Sequence, residues 1–320
     1  MSVLQSPLAG LAWLGRQGTG VIAVLVFIGI AVPAVGAVLK PYVAEAIFAL
    51  LCIAFLRVDA ASLRGTLRRP GVLLAATGWT MLVMPLFFAS VCMALDVEGR
   101  FPDLYLAIML QAIASPMMAA PAFAALMGFD ATLILLTLVA STALTPLTAT
   151  FYAYLFLDGT LSLSPIALGV KLLAILAGSA LVAAVIRRFA GGEAVARRKD
   201  EIDGLNVLVL VVFVAAVMES VAGTFAAAPL LATAIGLLAF VITFAVLGVT
   251  LLAFLWAGRD RAFALAFMAS QRNMGLMLAA TGGVLPDMAW LYFAMCQFPI
   301  YLSPHLLKPL ARRFGGKVGG

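Results

Sequence analysis

Charged residues are the first thing that this sequence has little of. Only 11% of its 320 residues are Asp, Glu, Lys or Arg, whereas a soluble domain carries roughly 25%. Histidine occurs once, and the three cysteines, Cys52, Cys92 and Cys296, stand alone within apolar runs. Because no CxxC or His-Cys spacing is present, the sequence predicts neither a metal centre nor a disulfide framework.

Paired catalytic groups are also missing from the apolar runs. Intramembrane metalloproteases need paired histidines, and aspartyl proteases need paired carboxylates, within membrane spans. Here the runs hold one histidine, His305, and two widely separated glutamates, Glu45 and Glu219. A membrane sensor normally carries a soluble output domain, and no segment is long enough to form one. We therefore expect neither an enzyme nor a sensor, and no cofactor.

Apolar residues, by contrast, make up 65% of the sequence. They form runs that are too many and too long for the core of a soluble domain, so we predict an all-α polytopic membrane protein. The expected location is the inner membrane of the cell, with lipid around the spans. The ten predicted spans are 19–38, 42–57, 71–95, 104–127, 131–157, 164–187, 204–224, 228–257, 261–284 and 287–310.

The basic residues predict the orientation of these spans. With the N-terminus in the cytoplasm, most Lys and Arg residues fall in cytoplasmic segments, and the outer loops receive only Lys40 and Arg100. This bias follows the positive-inside rule and places both termini in the cytoplasm. The net charge of +6 is therefore interpreted as a topological signal and not as a nucleic-acid-binding surface.

The ten spans divide into two halves of five, at about 18–157 and 164–312. Because five is odd, the second half must be inverted in the membrane relative to the first. Inverted repeats with a broken helix in each half mark the substrate site of many secondary transporters. We therefore predict one transmembrane transporter domain over residues 1–320, as a monomer or a homodimer.

Two spans in equivalent positions of the halves carry signs of a break. The fourth contains Pro116 and Pro121, each of which lacks a backbone N–H and crowds the preceding turn. The ninth contains Ser-Gln-Arg-Asn at 270–273, where a membrane helix is normally most apolar. An arginine near the membrane centre costs roughly 2.5–3.5 kcal/mol on insertion scales, so it marks a functional site by default. We predict that the two broken helices cross and bind a small organic anion there.

The candidate substrate-binding residues are Gln111, Ser115, Pro116, Pro121, Ser270, Gln271, Arg272 and Asn273. For Arg272 two roles are open, a bidentate contact with a substrate carboxylate or sulfonate and a permanent ion pair with an acidic side chain. Glu219 in the seventh span is a proton-coupling carboxylate, an ion-pair partner of Arg272, or a snorkelling or hydrogen-bonded residue near the end of its helix. In the fifth span, Ser141, Thr142 and Thr145 would lie near the crossing if that helix lines it.

Several of these motifs resemble the bile acid:sodium symporter family over about residues 18–312. The resemblance rests on Arg272-Asn-Met-Gly-Leu-Met-Leu-Ala-Ala280, on the proline-broken fourth span, and on Leu39-Lys-Pro-Tyr, Phe55-Leu-Arg-Val-Asp and Leu67-Arg-Arg-Pro70. It implies a five-plus-five inverted repeat, a panel domain, a core domain, and crossing fourth and ninth helices. It also implies transport of organic anions such as bile acids, keto acids and vitamin precursors, usually driven by sodium.

The sequence departs from that family where the resemblance implies sodium ligands. The Ser-Asn pair of the fourth span falls on Ala120 and Pro121, the acidic residue of the ninth span on Met268, and the following glutamine on Arg272. Sodium needs several hard oxygen ligands, as hard cations generally do. We therefore expect transport without sodium, with the Arg272 guanidinium as a tethered cation in its place.

A related fold with a different coupling is the main alternative. Auxin efflux carriers share the inverted repeat, mark the crossover with a proline as at Pro121, and do not require sodium. A proton-coupled carrier of the same fold is the other alternative. The identity of the substrate, the direction of transport and the coupling ion stay open at this point.

Overall fold

The structure is a computed structural model that describes residues 5–16, 33–57, 70–129, 131–157, 159–161 and 163–315. These residues are nearly all helical. The helices are α1 (Gln5–Arg16), α2 (Pro33–Leu39), α3 (Val43–Arg57), α4 (Pro70–Gly78), α5 (Met84–Ala94), α6 (Val97–Arg100), α7 (Pro102–Ile113), α8 (Ala120–Leu126), α9 (Ala131–Phe156), α10 (Pro165–Ala190), α11 (Gly192–Arg197), α12 (Lys199–Ala227), α13 (Pro229–Phe254), α14 (Arg259–Ser270), α15 (Met274–Ala280) and α16 (Asp287–Arg313). Lys40–Tyr42 and Leu255–Ala257 form 3-10 turns, and Trp79–Val83 forms a π turn.

Six helical segments of the described chain are long and apolar enough to cross a membrane. They are Ala34–Arg57, Pro70–Ala94, Ala131–Phe156, Pro165–Ala190, Lys199–Ala227 and Pro229–Ala257. A spanning helix needs about 20 apolar residues because the hydrocarbon core is roughly 30 Å thick. The prediction of an all-α polytopic membrane protein is therefore confirmed, and the protein is an integral membrane protein.

The start of the chain differs from the predicted pattern of spans. Most of the first predicted span, 19–38, lies outside the described residues, as do most of the Leu67-Arg-Arg-Pro70 motif and the Val58-Asp59 end of another. The helix continues through Lys40–Tyr42 as a 3-10 turn, where the sequence predicted an outer loop. Pro41 stands in the first positions of that turn, where a missing backbone N–H does not matter.

The fourth and ninth predicted spans are both interrupted. Helix α7 ends at Ile113 and α8 begins at Ala120, while α14 ends at Ser270 and α15 begins at Met274. The predicted breaks are therefore present in the residues where the sequence placed them.

The chain forms two compact units, each built from two stretches of sequence. The first unit comprises Met1–Val58 and Ala174–Thr233. Within it α1, α2 and α3 pack on α12, and Lys40 and Arg57 pair with Glu219 and Asp203 at 3.0 and 2.6 Å.

The second unit comprises Asp59–Leu173 and Ala234–Gly320. In its core α7 packs against α5, α9 and α16, and α8 packs against α9 and α14. Aromatic pairs fix these contacts: Phe129 stacks on Phe263 with ring centres 5.1 Å apart, and Phe123 meets Phe267 edge-on at 6.5 Å. Both helix breaks lie within this unit.

Candidate functional site

The two interrupted segments pair with each other as a short antiparallel ribbon. Pro116 stands opposite Arg272. On either side of that pair, the Met117 N–H donates to the Gln271 carbonyl at 2.7 Å, and the Asn273 N–H donates to the Ser115 carbonyl at 2.8 Å. The structure thus brings Ser115 and Pro116 of the fourth span together with the predicted site residues 271–273 of the ninth span.

The break in the fourth span follows from Pro116. A proline disfavours helical geometry in the residue before it, here Ser115, and the backbone is already extended one residue earlier, at Ala114, with φ −67° and ψ 149°. Pro121 has a different role from the predicted one. It stands in the first positions of α8, where no backbone donor is needed, and therefore begins the new helix instead of interrupting an old one.

Polar side chains set the limits of the break in the ninth span. The Ser270 hydroxyl donates back to the Phe267 carbonyl at 2.8 Å and accepts from Gln271 Nε2 at 3.2 Å. Asn273 Oδ1 accepts from the Leu276 N–H at 3.1 Å, which is the bond of a helix N-cap. Asn273 is therefore the residue that restarts the helix as α15.

Arg272 is buried, with 2% of its surface exposed, and its guanidinium is held by backbone carbonyls. Nη1 donates to the Ala114 carbonyl at 2.9 Å, and Nη1 and Nη2 both donate to the Thr80 carbonyl at 3.3 Å. No ion pair among the described residues includes Arg272. No described carboxylate therefore forms the permanent ion pair considered for Arg272. Asp59, Asp130 and Asp158 lie outside the described residues.

The Thr80 carbonyl is available because of the π turn at Trp79–Val83. In this wider turn the Met84 N–H donates to the Trp79 carbonyl, five residues back. The next residue, Pro85, has no N–H to donate. Thr80 therefore lacks both of the helical donors that would normally engage its carbonyl, and Arg272 supplies the missing bond. Thr80 was not among the predicted site residues, although Pro85 within a span was a signal that a carbonyl near it would be free.

One edge of the guanidinium stays available. An arginine has five N–H donors in a rigid plane, and the Nη1–Nη2 end chelates the Thr80 carbonyl. Nε has no hydrogen-bond partner among the described residues, and Nη2 makes one hydrogen bond with its two N–H groups. The edge formed by Nε and Nη2 is the one that can hold a carboxylate by two parallel bonds.

Other buried polar atoms of the second unit share this lack of partners. In the part of the chain that the structure describes, they are Thr77 Oγ1, Ser115 Oγ, Ser141 Oγ, Thr142 Oγ1 and Gln271 Oε1. Thr145 differs, because its hydroxyl donates to the Ser141 carbonyl at 2.8 Å. Buried polar atoms normally have partners, so this concentration in one unit marks an unusual polar region.

Gln111 is engaged elsewhere than the prediction assumed. Its Oε1 accepts a short hydrogen bond from the Tyr292 hydroxyl of α16, and both side chains are buried. Gln111 therefore ties α7 to α16, and Tyr292 is a second residue that the sequence analysis missed. A lone tyrosine within an apolar helix gave no sign of its partner.

The side chains at the positions where the resemblance implies sodium ligands offer no oxygen atoms. Ala120 and Met268 are buried and apolar, Pro121 has no side-chain oxygen, and Arg272 is itself a cation. This set of side chains does not fit a sodium ion, which prefers several oxygen ligands.

Glu219 belongs to the first unit, where it accepts from Lys40 at 3.0 Å. The structure thus gives this carboxylate an ion-pair partner, which is Lys40.

No protein-family model matches the sequence, and no curated protein matches it either. The resemblance to the bile acid:sodium symporters therefore stays a prediction that rests on the residues named above.

Proposed function

We propose that the protein is a secondary transporter of a small organic anion, which binds the free edge of Arg272 and crosses the membrane by alternating access. The observation that carries this proposal is a buried guanidinium with an unpartnered Nε, located where two broken helices pair. A positive charge of this kind in a membrane protein is costly, and it is normally kept for an ion or substrate pathway.

The breaks themselves support a transport role. Non-helical backbone at membrane depth is tolerated only where it is buried in protein or lines a water-filled cavity. The ribbon of Ser115–Met117 and Gln271–Asn273 satisfies part of its backbone by cross-pairing. In our proposal the two segments are the crossing of the fourth and ninth spans.

The division into units supports the proposed inverted repeat of ten spans. The repeat at about 18–157 contributes its first part, up to Val58, to the first unit and the rest to the second. The repeat at about 164–312 likewise contributes 174–233 to the first unit and most of its remainder to the second. A panel domain and a core domain require two repeats with the same internal division. In our proposal both domains belong to one transporter in the inner membrane, with both termini in the cytoplasm.

We further propose that Arg272 replaces the coupling sodium. Carbonyl oxygens are typical ligands of hard cations, and here the carbonyls of Thr80 and Ala114 bind the guanidinium. A cation that is part of the chain is always present, so anion binding does not need an ion from solution.

Uptake into proteoliposomes tests the proposal. We expect cholate, pyruvate or another organic anion to enter when choline replaces sodium, and we expect Arg272→Gln to abolish that uptake. Arg261→Gln is the matched control, because Arg261 lies near the start of α14, where its Nη1 donates to the Ala257 carbonyl at 3.5 Å. Uptake that requires sodium, or that survives in Arg272→Gln, would contradict the proposal.

A further inference from the structure

The positive charge of Arg272 has no negative partner among the described residues of the second unit. Its bonds go to two carbonyl groups, which are dipoles and carry no net charge. Removing an ion from water costs several kcal/mol unless an opposite charge compensates. Compensation by a mobile anion is the direct alternative to a carboxylate of the chain.

Two hydroxyl groups that lack hydrogen-bond partners belong to residues close in sequence to those that bind the Arg272 guanidinium. Thr77 precedes Thr80 by one helical turn, and Ser115 directly follows Ala114, so each neighbours a residue that binds the guanidinium. Both hydroxyls are buried and without a partner. A hydroxyl can donate one hydrogen bond to an anion, and these two stand on different elements around Arg272.

Helix α9 carries a third hydroxyl, that of Ser141. It packs against the π turn at Trp79–Val83 and against α7 and α8. The Tyr105 hydroxyl donates to the Phe156 carbonyl at 3.1 Å, which ties the start of α7 to the end of α9. The Ser141 hydroxyl is fully buried and has no partner.

We propose that this region binds a small inorganic monoanion, with chloride as the physiological ion, through the Nε–Nη2 edge of Arg272 and the hydroxyls of Thr77, Ser115 and Ser141. The donors fit such an ion because they consist of one cation and neutral hydroxyls. A single positive charge balances a monoanion, whereas a divalent phosphate or sulfate would leave a buried negative charge. A spherical halide also accepts bonds from any direction, as donors on three separate elements require.

The organic substrate and chloride then compete for the same guanidinium edge. This second step rests on the proposed function, whereas chloride binding alone does not. Because each ligand carries one negative charge, replacing chloride by a monocarboxylate leaves the buried charge balanced. Chloride is therefore expected to occupy the site whenever the organic anion does not.

A chloride titration tests the inference on the full-length protein in detergent. The thermal unfolding midpoint is measured as sodium chloride replaces sodium sulfate at constant ionic strength, and again with sodium bromide. We expect a saturable rise with both halides for the wild type and none for Arg272→Gln. Thr77→Val, which keeps the shape and removes the donor, should raise the half-saturating halide concentration roughly tenfold.

Two matched variants control for general effects. Arg261→Gln removes an arginine outside the break, and Thr233→Val removes an exposed hydroxyl that bonds only the Pro229 carbonyl of its own helix. Both should keep the wild-type halide response. A wild type that does not respond, or equal responses in the wild type, Thr77→Val and Arg272→Gln, would overturn the inference.

A titration with an organic anion, with and without saturating chloride, separates this inference from the proposed function. An organic anion that binds through Arg272 with an affinity independent of chloride would refute the chloride site and leave the transporter proposal intact. Halide binding that depends on Arg272 and Thr77, in a protein that takes up no organic anion, would support the chloride site and count against the transporter proposal.

Discussion

Arg272 of the second unit is held differently from the paired charges of the first unit. In the first unit Lys40 and Glu219 form an ion pair whose side chains are 43% and 26% exposed, and Arg57 pairs with Asp203. In the second unit Arg272 is 2% exposed, and the partners that it has among the described residues are carbonyl oxygens. The first arrangement joins helices to each other and satisfies both charges. The second leaves a positive charge that a ligand can still use.

Two glycines bring helices of the first unit close together. A side chain at Gly204 would collide with the backbone of Leu11, and one at Gly36 would collide with that of Ala215, so helices of the first unit touch through their backbones. In the second unit, the carbonyls of Thr80 and Ala114 bind the Arg272 side chain, and the backbones of the two breaks bind each other. Under the proposed function, the first unit serves as the scaffold and the second unit binds the ligand.

The largest effect is expected from Arg272. Arg272→Gln removes the charge and the free edge, and we expect organic-anion affinity to fall by roughly a hundredfold or more, because two charge-assisted hydrogen bonds are lost. Arg272→Lys keeps the charge without the planar fork and should recover only part of the affinity. Binding isotherms of the three proteins measure this, and equal affinities would remove Arg272 from the site.

Gly204→Leu tests the scaffold role of the first unit. The new side chain must push α1 away from α12, and we expect a loss of about 1–3 kcal/mol in stability. Anion affinity should not change, because the substitution leaves the second unit untouched. Thermal unfolding and ligand titration of the same sample measure both quantities. A large loss of affinity with little loss of stability would reverse the assignment of roles.

Pro85→Ala tests whether the Thr80 carbonyl is free to bind Arg272 because of Pro85. It restores a backbone N–H that can bond within the helix and compete with Arg272 for the freed carbonyls. We expect organic-anion affinity to fall about fivefold, equivalent to about 1 kcal/mol, even though alanine favours a regular helix. A variant that binds the anion as tightly as the wild type would show that the π turn is incidental.

Asn273→Ala removes the cap of α15 and should cost about 1 kcal/mol in stability. Because Asn273 directly follows Arg272 in the chain, we also expect a severalfold loss of anion affinity. Asn273→Ser retains a capping oxygen and serves as the control that should recover most of both losses. If alanine and serine behave alike, the capping bond at Leu276 contributes nothing to the site.

The smallest effect is expected from Glu219→Gln. The pair with Lys40 is partly exposed, and such pairs contribute only about 0.2–1 kcal/mol. We expect a small drop in the unfolding midpoint and an unchanged dependence of transport on pH. Loss of a proton-driven component of uptake in this variant would instead identify Glu219 as a coupling carboxylate.

Much of the second unit could be predicted from residues near each other in sequence. Pro116 and the polar run at 270–273 interrupt apolar helices for local reasons, and the structure has both breaks at those residues. The limits of most long helices follow equally from local hydropathy, as for Ala131–Phe156 against the predicted 131–157.

The remaining features depend on contacts between residues far apart in sequence. Thr80 and Arg272 are joined by a hydrogen bond across 192 positions, and Gln111 meets Tyr292 across 181. No local pattern specifies which helices lie opposite each other, so the carbonyls around Arg272 could not be named beforehand. The 3-10 turn at Lys40–Tyr42 was missed because Pro41 and Lys40 suggest a loop just as well as a turn within a helix.

The measurement that tests Arg272 most directly is thermal stabilisation of the purified protein by a panel of organic anions, in sodium sulfate and in choline sulfate. We predict that at least one carboxylate raises the unfolding midpoint equally in both salts, and that Arg272→Gln abolishes the rise while Arg261→Gln retains it. Stabilisation that occurs only with sodium, or that persists in Arg272→Gln, would contradict a tethered cation at the paired breaks.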